Sequence, residues 1–338
     1  MVKILLDCYG LDKGFKEFIK AGIKSIKKDE NIFITFLGKE EEILEELKDY
    51  NYNKEQVSVI DAPDEISCNE VPTKAIKEKT NSSLVVGLNN LKDGGYDALI
   101  SGGSTGAILT GGFLKIGRIK GVSRPALCPM LPTLNGNKVM LMDCGANVDC
   151  KPINLCHFAL MSNIYMKEIM GIDNPKIALL NNGVEENKGN ELTKETYGLL
   201  KNMPINFVGN IEAKDFLTGN VDVVLADGFA GNVLLKGSEG ATRLVLQKLK
   251  AAIKSSFIAK IGALIMKKTF KKLKKELDAD GQGGSTLLGL KKILIKVHGS
   301  CSYKAIQIAI KQAKELKENN VLEKFEEEFS KQVGESNE

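Results

Sequence analysis

No two of the seven cysteines form a CxxC pair, and no uninterrupted apolar run approaches the roughly 20 residues that span a bilayer. The first absence points to reduced, mostly buried thiols and away from disulfides. Cys144, Cys150 and Cys156 recur every six residues, a spacing that suits neither a ligand pair nor one helix face, and only His157 could complete a set. No metal site is therefore expected. The second absence argues against an integral membrane protein. The opening MVKILLDCYG runs straight into a strand pattern without a cleavage signal, so a cytoplasmic chain is expected. Charge of one sign is also missing: 47 Lys and Arg stand against 43 Asp and Glu, a formal +4, which demands no nucleic-acid partner. A Walker lysine motif, a dinucleotide GxGxxG, a convincing nucleophilic triad, internal repeats and low-complexity linkers are absent too. Nucleotide-dependent redox chemistry is disfavoured, and no cofactor is expected.

What is present is a chain of 338 residues, 43% hydrophobic, long enough to bury a large core. Short β-branched and apolar runs recur, each ending in glycine or asparagine and followed by a helix-like stretch. The expected strands are Lys3 to Leu6, Ile32 to Leu37, Val57 to Ile60, Ala98 to Ile100, Ala126 to Cys128, Val139 to Met142, Ile177 to Leu180, Ile205 to Val208, Val221 to Leu225 and Ile293 to Val297. This alternation predicts an α/β protein, a three-layer α/β/α sandwich on a mostly parallel sheet, forming one elaborated domain over 1–338. Between 238 and 280 the strand signals vanish and a helical hairpin insertion is expected, rich in lysine and without an acidic residue from Glu239 to Glu276. From Glu315 onward a mixed Lys and Glu stretch predicts a surface helix with a frayed tail.

In open parallel sheets ligands bind beyond the carboxyl ends of the strands, and the glycine-bearing loops fall there. SGGSTGA, with Ser101, Gly102, Gly103, Ser104, Thr105 and Gly106, follows the strand ALI and opens a helix, so its backbone N–H groups suit an anion. A plain structural turn fits the same residues. DCGANVDCKP offers Asp143, Asn147, Asp149 and Lys151 in one loop; for Asp149, bonding to its own backbone explains the residue equally well. NNGVEENKGNELTKE brings Lys188, Asn190, Glu191 and Lys194 to the mouth of a helix. ADGFAGNVLLKG repeats the device with Asp227, Gly228, Gly231 and Asn232. VHGS ends the last strand with His298, which is either structural or catalytic. Together the five loops describe one crest built for an anion.

Taken in order, SGGSTGAILTGG, GRIKGVSRPALCPMLPT, DCGANVDCKP, GNELTKE, DGFAGNVLLKGSEG, LLGLKKILIKVHGS and KAIQIAI resemble the PlsX family of phosphate acyltransferases. The resemblance implies a homodimeric fold similar to isocitrate and isopropylmalate dehydrogenases and phosphotransacetylases. It also implies formation of acyl phosphate from acyl carrier protein thioesters and inorganic phosphate, peripheral association with the inner face of the membrane, and a membrane-bound glycerol-3-phosphate acyltransferase as consumer of the product. Four stretches depart from the family pattern: DCYGLD replaces DAMGGD at the start, Lys77 stands for an arginine, Ala230 for a threonine in GFTGN, and QGGSTLLGL from Gln282 replaces YGGAPLLGL. Lysine at 77 keeps the charge and loses bidentate geometry.

The resemblance leads to a scheme in which a phosphate oxygen attacks the thioester carbonyl directly. The N–H groups of Gly103 to Gly106 with Lys188 or Lys194 hold phosphate, Asn147 and Asn232 orient the carbonyl, and His298 gives a proton to the departing sulfur. In the helical insertion Phe257, Ile261, Leu264 and Ile265 form an apolar stripe among lysines, which fits a dimer interface or an anionic membrane surface. Two other readings stay open. One is a short-chain phosphotransacetylase, or the related acyl-phosphate-forming subunit of a reductase complex, with Cys144 or Cys301 as nucleophile. The other is a non-catalytic scaffold that gathers lipid enzymes at the membrane.

Overall fold

The computed structural model describes residues 1–10, 12–277 and 283–335; Leu11, Gln282 and the last three positions of the expected insertion lie outside them. The amino-terminal half runs β1 (Val2–Asp7), α1 (Lys16–Ile26), β2 (Ile32–Gly38), α2 (Glu40–Leu47), β3 (Val57–Asp61), α3 (Pro72–Glu78), α4 (Ser83–Lys92), β4 (Ala98–Ser101) and α5 (Thr105–Gly111). Next come β5 (Ala126–Cys128), β6 (Met130–Pro132), β7 (Lys138–Met142), α6 (Pro152–Glu168), β8 (Ile177–Asn181), α7 (Glu191–Leu200), β9 (Phe207–Glu212) and β10 (Val223–Leu225). The chain closes with the helices α8 (Gly228–Ser255), α9 (Phe257–Ile265) and α10 (Lys267–Leu277), then β11 (Ser285–Leu288), β12 (Ile293–Lys296), α11 (Tyr303–Glu318) and α12 (Val321–Glu335).

The strands form two sheets. One has seven strands in the order β3-β2-β1-β4-β12-β11-β5, the other five in the order β6-β7-β10-β8-β9. Pairing is parallel from β3 through β12 and from β7 through β9; β11 and β6 run antiparallel to their neighbours. The layers can be read off β1. Ile4 and Leu6 face a core containing Phe18, Phe36, Ile306 and Phe325, while Leu5 faces another containing Leu37, Val85, Leu99 and Ile108. Because successive side chains leave a strand on opposite faces, helices must cover both, and the α/β/α sandwich follows. Each such buried side chain contributes about 1.5–3 kcal/mol.

Every expected strand is present, with three differences. β9 begins at Phe207 and continues to Glu212, because Gly209, at φ +96°, carries the irregularity that shifts its register with β8. β6 was unforeseen, since Pro132 reads as a strand breaker; it sits where proline is tolerated, on a sheet edge. β11 was unforeseen as well. It is short and follows Gly283 and Gly284, and a Cβ on Gly284 would lie 2.2 Å from Cγ2 of Ile295, so the glycine that disguises the strand also permits its pairing. The expected boundary at 238 falls inside α8, a single helix of 28 residues and, at 1.5 Å per residue, about 42 Å long.

Candidate functional site

At the crest of the seven-stranded sheet, β1, β4 and β12 end side by side. Asp7, the last residue of β1, is 2% exposed and accepts hydrogen bonds from Ser83 Oγ (2.6 Å), Ser101 Oγ (2.6 Å) and the Tyr9 N–H (3.3 Å). Burial raises its carboxyl above the ordinary range, and the Ser101 and Ser83 bonds oppose that shift. Ser101 in turn accepts the Gly103 N–H at 3.1 Å. Its role is to anchor the glycine loop from below, because its hydroxyl is fully buried. Gly10, at φ +85°, approaches so closely that a Cβ there would lie 2.4 Å from Gly103 Cα. Gly102 and Ser104 are buried, Thr105 is exposed and begins α5, and the N–H groups of that first turn have no helical partner. Lys296, at the end of β12, donates to the Gly102 carbonyl at 3.1 Å and to its neighbour Val297 O; burial pulls its ammonium down to about 8.

The facing wall comes from the five-stranded sheet, and here the structure corrects the sequence reading. Asp143 is fully buried. Its Oδ1 accepts the N–H of Leu127 (2.9 Å) and Ala146 (3.2 Å), and its Oδ2 accepts the N–H (2.6 Å) and Nδ2 (2.9 Å) of Asn147. Asn147 Nδ2 also donates to Pro125 O at 2.7 Å, so its amide donors are taken up by Asp143 and by the chain just before β5. These two residues shape the 143–147 loop from inside. Gly228 and Gly231 allow α8 to press on it: a Cβ would meet Asn147 O at 2.5 Å and Asp143 O at 2.0 Å respectively. Asp227 is the N-cap of α8, its Oδ1 accepting the Ala230 N–H at 2.8 Å. The alanine at 230 therefore takes its place through a backbone bond that any non-proline residue can make. Asn232, one turn further, packs over Gly145, and its side-chain amide makes no hydrogen bond among the described residues. Lys151, exposed, precedes α6 and lines none of the cavities described below.

Between the two walls lies a cleft of about 520 Å³, lined by Gly10, Asp12, Gly102, Gly103, Thr105, Gly106, Gly145, Asn232, Lys236, Lys296 and His298. His298 is exposed to it. Its Nδ1 accepts the Ser300 N–H at 3.2 Å and lies 2.8 Å from Ser300 Oγ, so in the neutral ring the proton belongs on Nε2. A second groove of about 460 Å³, lined by apolar side chains together with Thr242, Arg243 and Gln247, opens from the same place. It shares Leu131, Leu235, Glu239 and His298 with the cleft and continues past Pro132, Phe216 and Leu217 to Leu246 and Lys250 along α8.

The loop before α7 stands apart. Asn190 caps α7, its Oδ1 accepting the Thr193 N–H at 3.0 Å, and with Asp227 and Phe229 it lines a separate cavity of about 850 Å³. Lys188 and Lys194 line neither this cavity nor the cleft; the Lys188 carbonyl accepts Asn181 Nδ2 at 3.2 Å, and Glu191 is the first residue of the helix. Lys77, where the family pattern has arginine, is exposed on α3 and likewise absent from the cleft wall. Lys296 was the residue sequence reasoning missed: its two-residue spacing from His298 on the closing strand was the available signal.

Cys144 and Cys301 are each 4% exposed, and burial pushes the Cys144 thiol far above its ordinary value, conditions opposed to a thiolate nucleophile. The described residues contain no group of three metal-ligating side chains. His157 is packed edge-on against Phe329 and accepts the Ser123 N–H, a structural role.

Beyond the cleft the helices turn apolar outward. α8 buries only Gly228 and Gly231, and α9 buries nothing: Phe257 is 78% exposed, Leu264 70% and Ile265 80%, with Ile261 partly exposed beside them. Among the described residues no helix is long and apolar enough to cross a membrane.

The family model described as "fatty acid synthesis protein" matches residues 2–324. The phosphate acyltransferase of Clostridium novyi is 47% identical over 332 residues, spanning 98% of this chain and all of that one. The phosphate acyltransferase of Clostridium acetobutylicum is 46% identical over 322 residues, 95% and 97% of the two chains. Among solved structures, a phosphotransacetylase from Streptococcus pyogenes superposes with a TM-score of 0.62 over 94% of each chain at 18% identity, a likeness of fold.

Proposed function

Because the chain belongs to the phosphate acyltransferase family, an acyltransferase family of fatty acid synthesis, we propose that it moves a long-chain fatty acyl group from an acyl carrier protein thioester to inorganic phosphate. A phosphate oxygen attacks the thioester carbonyl carbon, a tetrahedral oxyanion forms, and the carbon–sulfur bond breaks. The products are acyl phosphate and the free thiol of the carrier's prosthetic group. Phosphate already supplies a nucleophilic oxygen and a thiolate leaves readily, so the protein's task is positioning and charge neutralisation. The glycine loop at 102–106 offers N–H groups to phosphate, the unengaged amide of Asn232 faces the carbonyl, and His298 relays to the departing sulfur the proton that the attacking hydrogen phosphate gives up.

The observation that carries this reading is that the cleft holding the glycine loop, Asn232 and His298 runs on into a groove along α8 whose wall includes Leu131, Phe216, Leu217, Leu235 and Leu246. A reacting centre that opens onto a groove with such side chains along one wall suits an acyl chain long enough to reach them, which an acetyl group is not. The exposed apolar surfaces of α8 and α9 support two further parts of the proposal, pairing with a second copy along α8 and peripheral contact of α9 with anionic lipid. There the product would reach the membrane-bound glycerol-3-phosphate acyltransferase.

The test is thiol release from palmitoyl-acyl carrier protein by the purified chain, with and without phosphate, beside acetyl-CoA. Phosphate-dependent release from the long-chain donor alone is expected. Release from acetyl-CoA alone would move the assignment to a short-chain enzyme, and membrane binding without any release would leave a scaffold.

A further inference from the structure

The two lysines that sequence reasoning assigned to phosphate, Lys188 and Lys194, do not line the cleft, so its anion must find another cation. Only Lys236 and Lys296 bring an ammonium to the described cleft wall. Lys236 sits on the exposed side of α8, whereas Lys296 is fixed at the end of a central strand, and fixed groups make better anion sites because no reorganisation is needed on binding. We propose that Lys296 is the cation that holds the phosphate substrate against the glycine loop. This rests on the reaction proposed above and names a residue for it.

The geometry is specific. The ammonium has three donors. Two are committed, to Gly102 O at 3.1 Å and to Val297 O, which leaves one for a ligand oxygen. The first of these bonds ties Lys296 to the loop whose N–H groups would share the same phosphate. Asp7 on β1, Asp12 on the loop after it, Cys68 and Cys301 lie near enough to act on the ammonium, and Asp12, Cys68, Lys236 and Glu239 on α8 and His298 beyond β12 line the same cleft. Asp12 and Glu239 would repel an incoming dianion, which makes a cation beside the loop a requirement. Burial holding the Lys296 ammonium near 8 adds a signature, because phosphate is already a dianion where this lysine loses its proton.

A lysine that merely pinned Gly102 would affect folding and turnover without regard to phosphate, so the experiment must separate the two roles. Using the full chain, the phosphate KM and kcat of thiol release and the rise in melting temperature caused by inorganic phosphate are measured for wild type, Lys296→Met and Lys296→Arg. Loss of one charge-assisted hydrogen bond should raise the phosphate KM of Lys296→Met about 10- to 100-fold, leave the donor KM in place and abolish the phosphate-induced thermal shift. In wild type the phosphate KM should climb as pH rises past about 8; in Lys296→Arg, whose guanidinium stays charged, that climb should vanish. A Lys296→Met phosphate KM within about two-fold of wild type, or an Arg variant with the wild-type pH profile, would overturn the proposal. The Arg arm decides the matter if the Met variant fails to fold. Wild type lacking phosphate-dependent release would sink the proposed reaction instead, and the thermal shift would still report whether Lys296 binds phosphate.

Discussion

Replacing Asp143 by asparagine separates a substrate-binding carboxylate from an internal pillar. The carboxylate accepts four N–H bonds, two at each oxygen. Asparagine turns one oxygen into an NH₂, so two buried donors face a donor. Each stranded N–H costs about 1–3 kcal/mol, giving about 2–6 kcal/mol in all. Part is offset, since burial also makes the charged carboxylate costly and lifts it above the usual 3.8. A net loss of about 2–4 kcal/mol is expected. Urea unfolding followed by circular dichroism suits a chain without tryptophan, and the midpoint should fall by about 1 M. The sign of the pH dependence follows from the raised value. A carboxyl whose folded pKa exceeds its unfolded one stabilises fully below 3.8, and that stability is lost as pH rises through the higher folded value. The gap between wild type and Asp143→Asn should therefore be widest in acid and narrow upward. A variant with wild-type stability and a raised phosphate KM would refute this account and return Asp143 to the substrate.

Three other outcomes follow from the same geometry. His298→Asn should lower kcat by about 10²–10⁴-fold with little change in melting temperature, because the side chain is exposed and among the described residues bonds only to Ser300; stopped-assay kinetics with a melting curve checks both. Gly10→Ala forces a Cβ to within 2.4 Å of Gly103 Cα at a backbone of φ +85°, so the loop must shift, and phosphate KM should rise while the donor KM holds. Phe257→Glu with Ile265→Glu should abolish flotation with anionic liposomes and spare turnover in solution, since neither side chain is buried; unchanged flotation would count against lipid contact by α9.

Strands and loops were legible where a single local rule governs them. Ile4, Leu5 and Leu6 announce a strand covered on both faces, and the glycines of SGGSTG announce a close approach that Gly10 and Gly103 then make. What failed to show was burial. Asp143 and Asn147 look in the sequence like the polar face of a loop, yet they bond to each other and to the backbone of Leu127 and Pro125, and α8 presses on their loop through Gly228 and Gly231, contacts that are long-range in the chain. Lys296 erred in the opposite direction: in ILIK it looks like the solvent end of an apolar run, and only the pairing of β12 with β4 brings it beside Gly102. Lys188 and Lys194 were plausible by charge and spacing, and their loop simply faces elsewhere.

One element joins the chemistry to the surface. α8, capped by Asp227, brings Asn232 to the cleft and forms one wall of the groove through Leu235 and Leu246. It then delivers the chain to the exposed face of α9 about 42 Å from its start. On the proposed reaction, phosphate enters from the glycine loop and the acyl tail lies the other way, along α8. The phosphate end thus meets the glycine loop, and the tail meets Leu235 and Leu246 on the groove wall. Each methylene kept out of water along the groove is worth about 0.8 kcal/mol, so a long tail has reason to stay on the helix until it reaches another apolar phase. A leucine-to-charge change at Leu246 on this continuous helix should therefore weaken long-chain donors while leaving phosphate KM untouched.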